Sequence, residues 1–259
     1  MLDRLRRHPL AIEAHFRHSL VLTYAWPRRL LEPLLPPGLV LDTHRDFGFT
    51  AIALVQTERL RPTFLPASLG ADFFLTGYRI FVRVADAPSL RGLYIVRSDT
   101  DRRMMVALGN LLTHYRYRLF SRTTATGSQS SPPKNAADGW QYASARTARE
   151  ADIVLVADLA STPAPLPPDS PFVDVAEARR FAGPLPYTFD YERSSGSIVA
   201  VRATREHWNP EPIGVEVHEA TFLDSPTFFG ERPILANAFH VENVDYRWER
   251  GELLGRGPA

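Results

Sequence analysis

The chain contains no cysteine, which excludes disulfides, thiolate nucleophiles and cysteine-ligated zinc or iron–sulfur centres in one step. Lysine is almost as scarce. Lys134 is the only one among 30 basic residues, an arginine bias that fits a GC-rich bacterial genome better than selection for guanidinium chemistry. An excess of charge is missing too: 30 basic against 29 acidic residues leave a formal +1, so the overall field gives no reason to expect nucleic acid or an anionic membrane as partner. No run reaches the roughly 18 uninterrupted apolar residues of a membrane helix. The basic start from Met1 to Pro9 is not followed by the apolar segment of about 7–15 residues that an export signal needs. These absences point to a soluble, cytoplasmic protein. What is present, 44% hydrophobic and 11% aromatic residues in 259, suffices to bury a large core in a single domain spanning 1–259.

Strand signals dominate the pattern. Residues 47–57 and 73–84 read as strands, the second alternating Tyr78, Ile80, Val82 and Val84 against Arg79, Phe81 and Arg83. Residues 93–97, a hairpin over 140–147 and 153–159, and strands at 197–203, 214–222 and 235–248 follow. Helical signals are few. Pro27 opens a short amphipathic turn over Arg28–Leu35, closed by Pro36-Pro37-Gly38. Met104, Met105, Leu108, Leu111 and Leu112 recur at helical spacing behind a capping-box-like Ser98-Asp99-Thr100-Asp101, and a third helix is expected over 175–181. The Ser/Thr/Pro-rich stretch 121–139, which holds Lys134, reads as a surface loop, and 161–171 as a proline-rich linker into a second, strand-rich half. The expected fold is α+β: a strongly curved, mostly antiparallel sheet or barrel with a few helices.

Candidate ligand-binding residues follow from placement. Arg97, Asp99 and Asp101 fall at spacing two where a strand runs into a helix, so an anion would meet Arg97 and the helix N-terminus together. The plainer alternative is that Ser98 or Asp99 caps the helix while Arg97 pairs with Asp101. Asn110, His114 and Tyr117, on or just beyond the same helix, would add a polar lining with a titratable imidazole, against the alternative of a satisfied buried histidine. Arg79 and Arg83 share a face with Phe81, either a barrel interior that holds an acidic ligand or a wetted exterior, which the burial preferences of arginine favour. Tyr187, Phe189 and Tyr191, alternating with Thr188, Asp190 and Glu192, read as core packing. No metal is expected. The alternative for one is Glu216 with His218 and His240 with Glu242, each pair on one strand face, while His15 and His18 have no carboxylate partner apparent in the sequence.

A resemblance sharpens the fold. The stretches Trp26-Pro27, Leu35-Pro36-Pro37-Gly38-Leu39-Val40-Leu41-Asp42-Thr43, Phe74-Leu75-Thr76-Gly77-Tyr78-Arg79, Arg97-Ser98-Asp99-Thr100-Asp101 and Ala238-Phe239-His240-Val241 resemble the YqjF-like domain-of-unknown-function family. That family is grouped with the acetoacetate decarboxylase-like superfamily, which implies a curved barrel enclosing a small-molecule pocket. The resemblance implies, for the decarboxylase itself, a lysine of depressed pKa as the nucleophile. This chain departs from that pattern, because its one lysine lies between Pro133 and Asn135 in a polar stretch, where water keeps the ammonium charged. The expected function is therefore a pocket for a small, acidic metabolite without Schiff-base chemistry and without a cofactor. The alternatives are a non-catalytic partner-binding or structural protein, since no nucleophile–base motif is present, and a metal-dependent enzyme using the His/Glu strand pairs. Of partners, the sequence leaves room for a small-molecule ligand and a homo-oligomer, and gives none for nucleic acid or membrane.

Overall fold

The computed structural model describes residues 2–126, 140–147, 149–159, 163–225, 228 and 231–255. Two long strands set the architecture, β1 (Ile12–Pro27) and β3 (Phe47–Pro62), both antiparallel to their neighbours and both rich in β-branched and aromatic residues. The sheet continues through β4 (Ala71–Val84) and β5 (Ala87–Thr100) to β10 (Tyr187–Glu192) and β11 (Ser197–Glu206), while β14 (Ile234–Trp248) lines the other edge of β1. β11 also pairs with β14 through Ala203–Glu206 against Asp245–Trp248, so the two ends of the sheet meet. The result is a strongly curved ring rather than a formal barrel, antiparallel except where β5 meets β10 and the short β6 (Tyr117–Leu119). Short strands β2 (Leu39–Leu41), β12 (Glu211–Pro212) and β15 (Glu252–Leu254) extend its edges.

A second sheet of four strands, in the order β13 (Gly214–Ala220), β9 (Ile153–Asp158), β8 (Trp140–Arg146) and β7 (Ser121–Thr126), completes the strand set. Ile153, Leu155 and Ala157 of β9 join Leu22, Trp26, Ile52, Leu54, Tyr78, Ile80 and Val82 of the ring in the largest core. The opposite face of the ring holds two further clusters. One gathers Phe49, Phe81, Phe172 and Phe181 under α4 (Val175–Ala182), and the other Phe16, Val55, Phe239 and Tyr246. Each such aromatic withdrawn from water contributes about 1.5–3 kcal/mol. α4 starts on Asp174, whose carboxylate accepts the Glu177 amide at 2.6 Å, while Glu177 reaches back to the Val173 amide at 2.6 Å, a reciprocal cap.

Several sequence expectations change here. Residues 19–26 of β1 are buried on both faces and so carry no alternation, which is why that strand gives no signal in the sequence. Residues 98–100 belong to β5, and α3 (Arg103–Leu112) begins on Arg102 without a side-chain cap; Asp101 instead accepts the Phe74 amide at 2.9 Å. Within α3, Met105 is buried, but Met104, Leu108 and Leu111 form an exposed stripe. The stretch 121–139 opens as strand β7, and Lys134 lies outside the described residues. The proline-rich stretch 161–171 joins no separate half: Ser170 donates to the Ala236 carbonyl at 2.7 Å, and the strands after it close the same ring. Among the described residues no helix is long and apolar enough to cross a membrane.

Candidate functional site

Seven strands in the cyclic order β14-β1-β3-β4-β5-β10-β11 place β4 opposite the β11–β14 seam. Arg79 on β4 lies within electrostatic reach of Tyr246 and Arg205, which stand on that seam, and of Tyr115 and Tyr117. A side chain that shares surroundings with residues on the far wall points into the ring. Small residues make the space: Ala51 is its register partner on β3, and Gly77 lies beneath it on the same face. A Cβ at Gly77 would fall 2.8 Å from Arg79 Nη2 and 2.9 Å from Cζ.

Arg79 is the unusual group of this interior. It is enclosed by protein, yet it keeps partly accessible surface, as do Tyr115, Tyr117, Arg205 and Tyr246; enclosed side chains with residual surface line a water-sized space. Its Nε has no hydrogen-bond partner, and no carboxylate of the described residues lies in ion-pair distance. Burial pulls its pKa below the usual guanidinium value, with the tyrosines opposing and Arg205 adding to the effect. A desolvated cation without an anion carries a large penalty.

The α3–β6 connection supplies one wall. Tyr117 is held twice by Asn110, whose Nδ2 donates to the Tyr117 carbonyl and whose Oδ1 accepts the Tyr117 amide, both at 2.8 Å. Gly109 lets the ring seat against α3, since a Cβ there would lie 2.3 Å from Tyr117 Cδ2. Burial pushes the Tyr117 hydroxyl up to about 12, with Arg79 opposing. Tyr115 shares a hydrogen bond of 3.1 Å with Thr188 of β10. Two residues beyond Thr188, Asp190 is 4% exposed, and burial drives its carboxyl up to about 7 against the hydrogen bonds from the Tyr191 and His114 amides. At the rim, Arg205 donates to the Tyr246 hydroxyl at 2.5 Å, and both line a cavity of about 370 Å³ with Arg59, Arg61 and Asp245. On the outer side of β4, Arg79 also borders a cavity of about 610 Å³ with Tyr94, Arg116, Tyr191 and Phe222.

Of the residues expected from sequence, Arg79, Asn110 and Tyr117 converge, and His114 sits beside them against Asp190 and Glu192. Arg97 and Asp99 do not join them. The register slips between Tyr78, opposite Arg97, and Arg79, opposite Ile95; this bulge gives β5 one extra residue and turns Arg97 to the outer face. There Arg97 Nε meets both Asp99 oxygens at 2.7 and 2.9 Å, Nη1 meets Glu150 at 3.0 Å, and burial pushes Asp99 up to about 6. Arg97 thus pairs with Asp99, not Asp101. Arg79 is interior rather than wetted exterior, whereas Arg83 is taken up by buried Asp42 at 2.7 Å, which Arg91 also grips. Tyr115, Arg205, Tyr246 and Asp190 had no motif; the polar residues alternating with Phe189 on β10 were the available signal.

A family model described as an uncharacterized conserved protein matches residues 13–241. The chain belongs to the DUF2071 family. No curated protein matches this DUF2071 chain. Solved structures do. An acetoacetate decarboxylase-like enzyme from Sphingomonas wittichii RW1 superposes with a TM-score of 0.65 at 14% identity, covering 97% of this chain and 95% of its own. Acetoacetate decarboxylase from Legionella pneumophila subsp. pneumophila str. Philadelphia 1 gives 0.62 at 12%, covering 95% and 88%. The enduracididine biosynthesis enzyme MppR, complexed with pyruvate, gives 0.62 at 11%, covering 95% and 91%. At these identities the likeness establishes the acetoacetate decarboxylase-like fold of the DUF2071 chain.

Proposed function

We propose that the ring interior binds a small metabolite through its carboxylate, with Arg79 as the anion partner and Tyr117, positioned by Asn110, as part of the lining. The observation that carries this reading is an enclosed guanidinium whose Nε is unpartnered and which has no carboxylate of the described residues in ion-pair distance. A bidentate carboxylate would satisfy that donor and relieve the desolvation together. The MppR structure holds pyruvate, a 2-oxo carboxylate of suitable size. The one lysine, Lys134, lies outside the described residues, and the reading assigns it no role.

Calorimetric titration with acetate and pyruvate tests it. One equivalent of at least one of these anions is expected to bind wild type, and Arg79→Met is expected to weaken binding by about 30-fold or more, the effect of deleting one partner of a desolvated charge pair. Its melting temperature should stay level or rise, because a lone buried cation is removed. Equal binding by both proteins, or none by wild type, would overturn the reading.

Gly77→Ala supplies a gentler test. The three atoms nearest the new methyl all belong to the flexible end of Arg79, so the guanidinium must move while the strand stays paired. Affinity for the same anion is expected to fall about tenfold, with a melting-temperature change of a few degrees at most. Unchanged affinity would place the anion elsewhere.

A further inference from the structure

Outside the ring, β1 and β14 bring together residues that are 222 positions apart in the sequence. His18 is the register partner of Glu242, and His240 of Leu20, so the two imidazoles stand diagonally on one face, the face of Leu20 and Ala238 in the main core. His18 Nδ1 lies 3.2 Å from His240 Nε2 and 3.6 Å from Glu242 Oε2, and one ligand atom of each residue falls within 4.8 Å of the others. The two rings stack with centroids 5.4 Å apart and an interplanar angle of 22°.

We propose that His18, His240 and Glu242 form a binding site for a divalent transition metal ion, with zinc as the reference ion. The spacing carries it. Zinc–ligand bonds of about 2.0–2.1 Å in a tetrahedron set ligand–ligand edges of roughly 3.3 Å; the two edges at His18 are 3.2 and 3.6 Å, and the third, from His240 to Glu242, lies within 4.8 Å. Two imidazoles and a carboxylate are a ligand set that zinc, iron and manganese accept, and three protein ligands leave a fourth position for water. Without an ion, one imidazole donates to the other, and neutral imidazole is the form that ligates a metal. His240 is 8% exposed while His18 and Glu242 are open to solvent, so an ion has an entry path. Glu211, the register partner of His240 on β12, lies on the same face. The sequence pairing of Glu216 and His218 with His240 and Glu242 does not form: Glu216 and His218 are on β13 of the second sheet and pair with each other at 3.6 Å. This site lies on the opposite face of the ring from Arg79 and is independent of the anion reading.

Titration of metal-free protein with Zn²⁺ at pH 7.5, followed by calorimetry, and with Co²⁺, followed by its visible absorption, tests the assignment. One Zn²⁺ per chain with micromolar or tighter affinity is expected, and the cobalt bands of a four-coordinate site. His18→Ala and His240→Ala should each weaken zinc binding at least 30-fold, Glu242→Gln about tenfold, and the control His218→Ala not at all. Zinc should also raise the melting temperature of wild type but not of His18→Ala. His18 is half-exposed, which keeps that variant foldable. Wild-type binding no tighter than that of His18→Ala, or binding lost in His218→Ala, would overturn the site, leaving a hydrogen-bonded imidazole pair.

Discussion

Replacing Arg7 by methionine is expected to destabilise the protein by about 3 kcal/mol, which for a chain of this size lowers the melting temperature by roughly 6–12 °C. Glu192, the last residue of β10, has a fully buried side chain, and Arg7 answers it with two parallel hydrogen bonds, Nε to Oε1 at 2.8 Å and Nη2 to Oε2 at 2.7 Å. Ser195 adds a third donor to Oε2. Removal of the guanidinium leaves a carboxylate with no comparable partner in a dry place, and such losses run to about 3–5 kcal/mol. The lower end applies because Arg7 keeps 28% of its side chain exposed, so water can reach part of the gap. The pH dependence has a definite sign. Arg7 holds the Glu192 pKa below the ordinary glutamate value, so its contribution is present above the unfolded pKa and disappears as pH falls through the lowered one. Thermal unfolding of both proteins at pH 7.5 and in an acid series measures this. A shift under about 2 °C at pH 7.5, or one that does not shrink in acid, would show that this pair does not hold the N-terminal segment to β10.

The sequence carried the fold class well and the site unevenly, for physical reasons. Polar residues that alternate with apolar ones make residues 73–84 visible as β4, although no residue there is exposed; residues 19–26 of β1 are mostly apolar and buried on both faces and show no alternation, which hid that strand. The motif stretches from Trp26 to Asp42 and from Phe74 to Arg79 were enough to place the chain in its family. Arg79, Asn110 and Tyr117, which the structure brings together, could be singled out because polar residues on an apolar strand and at a helix end are conspicuous. Arg97 and Asp99 were misplaced by one bulge, a feature that leaves no mark in residue type. Likewise, Tyr246 and Arg205 reach Arg79 only because β11 closes on β14, and His18 finds Glu242 only through the β1–β14 register. Contacts across a closed ring join residues too distant in sequence for any local spacing to betray them.

Asp190→Asn is expected to act in the opposite direction from the loss of Arg7, stabilising the protein at neutral pH. Burial raises the Asp190 carboxyl from 3.8 to about 7, so between roughly pH 4 and pH 7 the folded chain holds a proton that the unfolded chain has released. Wild-type stability therefore falls as pH rises through that window and levels off above it. Three pH units at about 1.4 kcal/mol each put the whole effect near 4 kcal/mol, of which about 3 kcal/mol lies between pH 5 and pH 8. Asparagine does not titrate, and its side-chain oxygen can still accept the Tyr191 amide that Oδ1 now meets at 2.7 Å, so its advantage over wild type should grow by about 3 kcal/mol across that range. Urea unfolding at pH 5, 6.5 and 8 measures the difference; a constant offset would mean that Asp190 is already ionised in the folded protein. Asp190 shares a strand face with Thr188, whose hydroxyl meets Tyr115 at 3.1 Å, and Tyr115 in turn lies within electrostatic reach of Arg79. The buried Asp190 carboxyl and the Arg79 guanidinium thus burden one interior, and a carboxylate bound at Arg79 would relieve that part of the penalty.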